Sequence, residues 1–234
     1  MRIEPLGDSA LIVRVVDEFR SDASLNAVLA ALRYLEAAAI PGVIELAPAY
    51  TTIGVFFDPT RIEQAAPDDS PFDVLSAKIQ SVLNAAAFTD EAEVEARLLE
   101  VPVCYDREFS LDLEEVARAA GLTEAEVVLR HSKAAYRVTC VGFAPGFPYL
   151  SGLPVELATP RRATPRKEIP AGSVAIGGGQ TGIYPRKSPG GWNVIGRTPL
   201  RLFDLQRAPP ALLCAGDHVR FREISREEFS SISS

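Results

Sequence analysis

Residues 142–199 of the 234-residue chain hold 11 of its 16 glycines and 9 of its 18 prolines. That density breaks helices and favours tight turns, so the segment is confined to short β-strands joined by turns. No apolar stripe at helical spacing runs through it. Tyr136–Phe143, Ser173–Ile176, Trp192–Ile195, Leu200–Phe203 and His218–Phe221 read as strands. Many short strands with such punctuation predict a closed or nearly closed β-barrel. Asp112 with Glu115 and Thr123 with Glu126 each match a capping box, and Gly121 fits the left-handed position after the first of two short helices.

The first hundred residues have another texture. Leu11 to Val16 is an apolar β-type run, and Leu25, Val28, Leu29, Leu32 and Leu35 follow at helical spacing up to Pro41-Gly42. Ile53, Val55 and Phe57 alternate as a strand stopped by Asp58-Pro59. Ser70-Pro71 reads as an N-cap followed by proline at the first helical position, with Asp73 near that N-terminus. Phe72, Leu75, Ile79, Val82 and Leu83 form the helix's apolar stripe, and Leu99, Val101, Val103 and Tyr105 alternate as a further strand. Strand-helix-strand-helix-strand suits a small ferredoxin-like sandwich. The expected class is therefore α+β: an N-terminal domain over 1–95, a β-barrel domain over 96–229 and a frayed tail over 230–234.

Charge divides along the same line. Residues 1–100 carry 7 basic and 17 acidic side chains, whereas 101–234 carry 17 and 14, for a net charge of −7 overall. Eight basic residues (Arg161, Arg162, Arg166, Lys167, Arg186, Lys187, Arg197 and Arg201) face one acid, Glu168, within 160–201. Arginine forks match carboxylate and phosphate, so an anion is expected there. An acidic chain without the aromatic-basic interleaving of a nucleic-acid module argues against nucleic acid. The apolar runs are too short to span a membrane, and acids at Glu4 and Asp8 argue against a secretory signal. Three scattered cysteines and two histidines predict neither a disulfide framework nor a metal site. The expectation is a cytoplasmic, reduced, metal-free protein.

Gly177-Gly178-Gly179-Gln180-Thr181-Gly182 formally satisfies G-x-G-x-x-G, but Ile183-Tyr184-Pro185 cannot open the helix a dinucleotide site requires. The segment is either a tight turn or a backbone-amide nest for an anion. Phe143-Ala144-Pro145-Gly146-Phe147-Pro148-Tyr149-Leu150 is a stiff aromatic loop, either the wall of a ligand pocket or a satellite cluster. Ser188-Pro189-Gly190-Gly191-Trp192 ends in the only tryptophan, which is core or pocket wall. His131 sits near the end of a helix whose dipole favours its protonated form, in either a structural or a chemical role. No G-x-S-x-G and no close carboxylate pair is present.

Taken in order, Gly142 to Leu150, Thr159-Pro160-Arg161, Ala171-Gly172-Ser173-Val174, Gly178 to Pro185, Ser188 to Trp192 and Ile195-Gly196-Arg197-Thr198-Pro199 resemble the KipI / PxpB family. This family comprises the B subunit of bacterial 5-oxoprolinase, also labelled allophanate hydrolase subunit 1. Gly42-Val43, Pro48-Ala49-Tyr50 and Val101 to Tyr105 extend the match over nearly the whole chain.

The resemblance implies an N-terminal ferredoxin-like domain and a C-terminal cyclophilin-like β-barrel. It also implies ATP-dependent opening of 5-oxoproline to glutamate, with two partners: a homologous C subunit (the KipA/PxpC type) and a LamB/YcsF-type A subunit. ATP, with magnesium, is the implied cosubstrate. Met1 is the only methionine, so this chain lacks the Met-Lys-Met of a biotinylation site. The alternatives are a KipI-like inhibitor of a histidine kinase and a carboxyltransferase or allophanate hydrolase-type protein working on urea derivatives. For the enzyme, His131 is expected as acid–base or polarising group, and Gln180 with the Gly178, Gly179, Thr181 and Gly182 segment as donors to substrate. Arg166, Arg197 and Ser188 are expected to hold carboxylate or phosphate, and Phe147, Tyr149, Tyr184 and Trp192 to wall the pocket.

Overall fold

The computed structural model describes residues 1–63, 69–85 and 96–232. The chain divides into two compact units, Met1–Glu95 and Ala96–Ser234. In the first unit, β1 (Arg2–Pro5), β2 (Ala10–Arg14), β4 (Thr52–Phe57) and β3 (Val43–Ala49) pair in that order, every pair antiparallel. Helices α1 (Asp22–Ala38) and α2 (Pro71–Ala85) pack on each other. The expected stripes are the ones buried: Leu25, Val28, Leu29 and Leu35 on α1, and Leu75, Ile79 and Leu83 on α2. Most of them join Leu11, Val13, Ile53, Val55 and Phe57 in one apolar cluster, as amphipathic helices on the buried face of a sheet must. Ser70 caps α2 by accepting the Asp73 backbone N–H at 3.1 Å.

One expectation fails here: the strand over Leu99–Tyr105 does not complete this sheet, whose outer strands within the unit are β1 and β3. That strand, β5 (Leu98–Val103), instead pairs in parallel with β13 (His218–Glu223) in the second unit. The position beside β2 is filled by β1, from upstream in the sequence.

The second unit follows β5 with α3 (Leu113–Ala120), α4 (Glu124–Lys133) and β6 (Tyr136–Val141). Then come β7 (Pro148–Ser151), β8 (Arg166–Ile169), β9 (Ser173–Gly177), β10 (Gln180–Ile183), β11 (Ser188–Gly190) and β12 (Asn193–Arg197). Neighbours run β5-β13-β6-β7-β10-β9-β12, and β8 pairs β11 as a separate ribbon. The two ends of this path meet at a single bridge: Cys104, after β5, and Arg197, ending β12, exchange both backbone hydrogen bonds at 2.9 Å. No continuous ladder closes the sheet among the described residues. The core joins Val101 and Val103 to Val138, Leu150, Val174, Ile176, Ile183, Ile195 and Phe221, with α3 and α4 contributing Val116 and Val127.

Thr123 and Glu126 form the expected capping box on α4. Gly121 takes the left-handed conformation after α3 at φ 66°. Leu200–Phe203 is not a strand, forming only the Phe203–Ala211 bridge. Residues 230–232 are not a frayed tail but the last residues of α5 (Arg226–Ile232), whose Phe229 stacks on Phe109 at 4.5 Å. The remaining tail residues, Ser233 and Ser234, lie outside the described residues.

Candidate functional site: an aromatic pocket with an arginine rim

Three strands, β7, β10 and β12, bring four aromatics to one place. Phe147 precedes β7 and Tyr149 lies within it; Tyr184 follows β10, and Trp192 precedes β12. Phe147 meets Tyr184 at 5.2 Å and 85°, and Trp192 at 5.6 Å and 88°. Such edge-to-face pairs are favoured by the ring quadrupoles. Two glycines make room for them. A Cβ on Gly177 would lie 2.5 Å from the Trp192 indole, and one on Gly182 would lie 2.9 Å from Phe147. Any larger residue at either position would push a ring off its seat.

With Phe143, Arg161, Arg162, Gly190 and Gly191, these aromatics line a pocket of about 200 Å³. Phe143 stands 65% exposed at its edge, on a left-handed backbone with φ 68°. Non-glycine residues rarely hold that conformation. Burial raises the pKa of the Tyr184 phenol. The Arg161 guanidinium lies over the Trp192 ring, 5.7 Å from its centroid, a cation–π contact.

Asp112 organises the basic rim. Its carboxylate, 2% exposed, accepts two hydrogen bonds from Arg166 at 2.6 and 2.8 Å and one from Arg162 at 2.6 Å. The Val194 backbone N–H adds a fourth donor at 2.8 Å. Thus Asp112 does not cap α3 with its side chain, contrary to the capping-box reading. One buried carboxylate between two guanidiniums leaves a local excess of positive charge.

His131 is placed elsewhere. It is fully buried, stacked on Phe221 at 4.6 Å, and both ring nitrogens are engaged. Thr181 Oγ1 donates to the Ala175 carbonyl, so it accepts from His131 Nε2–H at 3.1 Å, and Nδ1 accepts the Tyr105 hydroxyl at 2.8 Å. Burial lowers its pKa to about 3, reversing the expected dipole-favoured protonation, because desolvation outweighs the helix terminus. His131 is therefore a neutral core pin out of reach of solvent, not an acid–base group.

The glycine segment is the β9–β10 hairpin turn, with Gly177 opposite Gln180 and Gly178 at φ 66°. The Gly178 N–H is already donated to the Thr159 carbonyl at 2.7 Å. Thr181 and Gly182 pair with both flanking strands. These residues form no anion nest. Gly179 sits at the tip of the turn, and Gln180 opens β10; neither lines the aromatic pocket.

Two of the expected anion ligands are likewise committed elsewhere. Arg166 is bidentate on Asp112. Arg197 donates Nε–H to the Ala171 carbonyl at 2.8 Å and lies over Phe109 and Phe229, at a separate recess of about 30 Å³. Ser188 opens β11, its Oγ buried and without a hydrogen-bond partner. The pocket wall of Phe147, Tyr149, Tyr184 and Trp192 does come together. Asp112 is the residue missed; Arg161 and Arg162 belong to the basic cluster expected to hold an anion but were not singled out as ligands. The Thr159-Pro160-Arg161 block was the available signal for the arginines, but nothing local links Asp112 to arginines some fifty positions away. Among the described residues, no group of three or more His, Cys, Asp or Glu is placed to hold a metal ion.

Comparisons with known proteins add to this geometry. The chain is 44% identical to the B subunit of 5-oxoprolinase from Bacillus subtilis over 230 residues, covering 97% of this chain and 95% of that one. It is 52% identical to the B subunit of 5-oxoprolinase from Haemophilus influenzae, over 56% of this chain and 61% of the relative. Among solved structures, TTHA0988 superposes with a TM-score of 0.75 at 35% identity, over 92% of this chain and 40% of the other. PH0987 of Pyrococcus horikoshii gives 0.57 at 38% identity, over 97% and 100%. Kluyveromyces lactis urea carboxylase shares the fold, at a TM-score of 0.76 and 20% identity over 98% of this chain and 22% of that one. The model described as carboxyltransferase domain, subdomain C and D, matches residues 1–213, and the chain belongs to that family.

Proposed function

We propose that this chain is the B subunit of an ATP-dependent 5-oxoprolinase, which opens 5-oxoproline to glutamate in a complex with a homologous C subunit (the KipA/PxpC type) plus a LamB/YcsF-type A subunit. The observation that carries this reading is the 44% identity, across 97% of the chain, to a B subunit of 5-oxoprolinase. We further propose the cytoplasm as its location and a ferredoxin-like plus cyclophilin-like pairing for its units. The Cys104–Arg197 bridge supports the barrel half of that pairing.

The aromatic pocket suits a small lactam acid. The ring would lie against Trp192 and Phe147, and the carboxylate would meet the Arg161 guanidinium, which has no carboxylate partner among the described residues. A lactam carbonyl is a weak electrophile, so its hydrolysis is coupled to ATP, giving glutamate, ADP and inorganic phosphate. The glycine-rich turn does not fit a nucleotide polyphosphate, since its Gly178 amide is spent on Thr159. No step is assigned to ATP on this chain. His131 takes no part in chemistry on this reading, and the pocket's contribution is to orient the substrate.

The test is co-purification of the three subunits, followed by assay of 5-oxoproline-dependent ADP release and glutamate formation. Turnover by the complex but not by the isolated chain is expected, and Arg161→Ala should raise KM about tenfold. Co-purification of the C subunit without 5-oxoproline turnover would overturn the substrate assignment in favour of a urea derivative. Capture of a histidine kinase in its place would overturn the enzyme reading.

A further inference from the structure

Beside the aromatic pocket lies a second recess of about 470 Å³, open to solvent and lined by Arg118, Arg161, Arg162, Glu115, Thr159 and Asn193 among others. Arg161 and Arg162 line both cavities, so they form a shared wall. We propose that this recess is a phosphate site whose donors are Arg118, Arg161 and Arg162.

Charge accounting carries the first part of the argument. The nearest buried acid, Asp112, is matched by the bidentate Arg166. Arg162 also reaches it, so one positive charge remains over that cluster. Arg161 has no acid partner among the described residues. Against Arg118, Arg161 and Arg162 the recess itself offers one carboxylate, Glu115, which stands 4.0 Å from Arg118 and 3.5 Å from Arg162. Three guanidiniums facing one carboxylate match a divalent oxyanion.

The second part is an unmet hydrogen bond. Arg162 is held by Nη1 to Asp112 at 2.6 Å, yet its Nε is buried without any acceptor. An unsatisfied buried donor is costly and calls for an occupant. Arg162 thus keeps donor capacity that Asp112 and Glu115 do not use, and an oxyanion bound at its guanidinium would draw on it. The other polar groups here are spent: the Asn193 side-chain amide donates to the Pro160 and Ile176 carbonyls, and the Thr159 hydroxyl to Leu157. Recognition therefore falls to the arginines. The site rests on the 5-oxoprolinase reading only for the origin of the phosphate, as the group released when ATP drives the ring opening.

Trp192 is the only tryptophan, and Arg161 lies over its ring, so indole emission reports on the shared wall. The full-length chain is titrated with inorganic phosphate at constant ionic strength, with chloride as reference. The expected result is a saturable emission change with phosphate alone. Arg162→Gln should weaken it about tenfold and Arg118→Gln about threefold. The Arg118 side chain is 79% exposed, so its replacement leaves the fold intact even if Arg162→Gln does not fold. An equal response to chloride, or wild-type phosphate affinity in Arg118→Gln together with a folded Arg162→Gln, overturns the site. The assembled enzyme separates the two claims. Turnover of 5-oxoproline with no phosphate response removes the site and keeps the function. Phosphate binding lost in the variants, with no 5-oxoproline turnover, keeps the site and removes the function.

Discussion

Among the described residues, every buried side chain of the first unit is apolar, whereas all 11 buried polar or charged residues lie in the second. Both units bury hydrophobic clusters of ordinary kind. The difference lies in what each core must specify. An apolar core accepts any filling of the right volume, while a buried polar group is stable only in one bonded arrangement. His131 between Tyr105 and Thr181, Asp112 among two arginines and Val194, and Asp217 with Arg97 each tie together residues far apart in sequence. The second unit thus fixes the aromatic pocket by direction as well as by volume.

This contrast can be broken at three points. In the first unit, Leu75→Ala should leave a cavity and lose about 4 kcal/mol. Leu75 is fully buried in an apolar cluster, so that loss, measured by chemical denaturation, should be the same at pH 5 and pH 7. In the second unit, Asp112→Ala strips the shared carboxylate from Arg162 and Arg166 and should cost about 3 kcal/mol. The loss should show as a lowered denaturation midpoint followed by Trp192 emission. An effect below about 1 kcal/mol would mean that solvent compensates both arginines.

The third effect, the smallest over the range tested from pH 5 to 6.5, is a pH slope. Burial holds the pKa of His131 at about 3, below its ordinary value of 6.5. Between those values the unfolded chain binds a proton that the native state refuses. Stability therefore rises with pH across that window, and is lost as pH falls from about 6.5 towards 3, by at most about 1.4 kcal/mol per pH unit. Asp58, Glu126 and Glu156, whose pKa values are lowered, add acid sensitivity only below the ordinary carboxylate range. His131→Gln keeps an acceptor for Tyr105 and a donor for Thr181, and should flatten the slope between pH 5 and 6.5. An unchanged slope would place the titration elsewhere.

How much was readable in advance follows the same division. Helices α1 and α2 and strands β2 and β4 were legible because their burial is periodic and local. The Ser70 and Thr123 caps were legible because both partners sit within one turn. β3 escaped because Glu45 and Pro48 interrupt its alternation. β5 was assigned to the wrong sheet because its partner lies 120 positions away. The four pocket aromatics were visible as residue types that favour a stiff apolar wall, but the arginine rim was misassigned. Arg166 and Arg197 were singled out and prove to be committed internally, while Arg161 and Arg162 line the pocket. The burial of His131 was within reach: Val127, Val128 and His131 share one face of α4.

The pairing of β5 with β13 has a consequence for how the chain is made. Leu98–Val103 and His218–Glu223 register along their whole length, so β5 must wait until nearly all of the second unit has left the ribosome. During that interval it is an unpaired strand of alternating apolar residues, the kind of segment that invites aggregation. The first unit has its described elements in place once α2 ends at Ala85. Synthesis thus delivers an early, locally paired unit followed by a late one, whose last strand settles the place of its first.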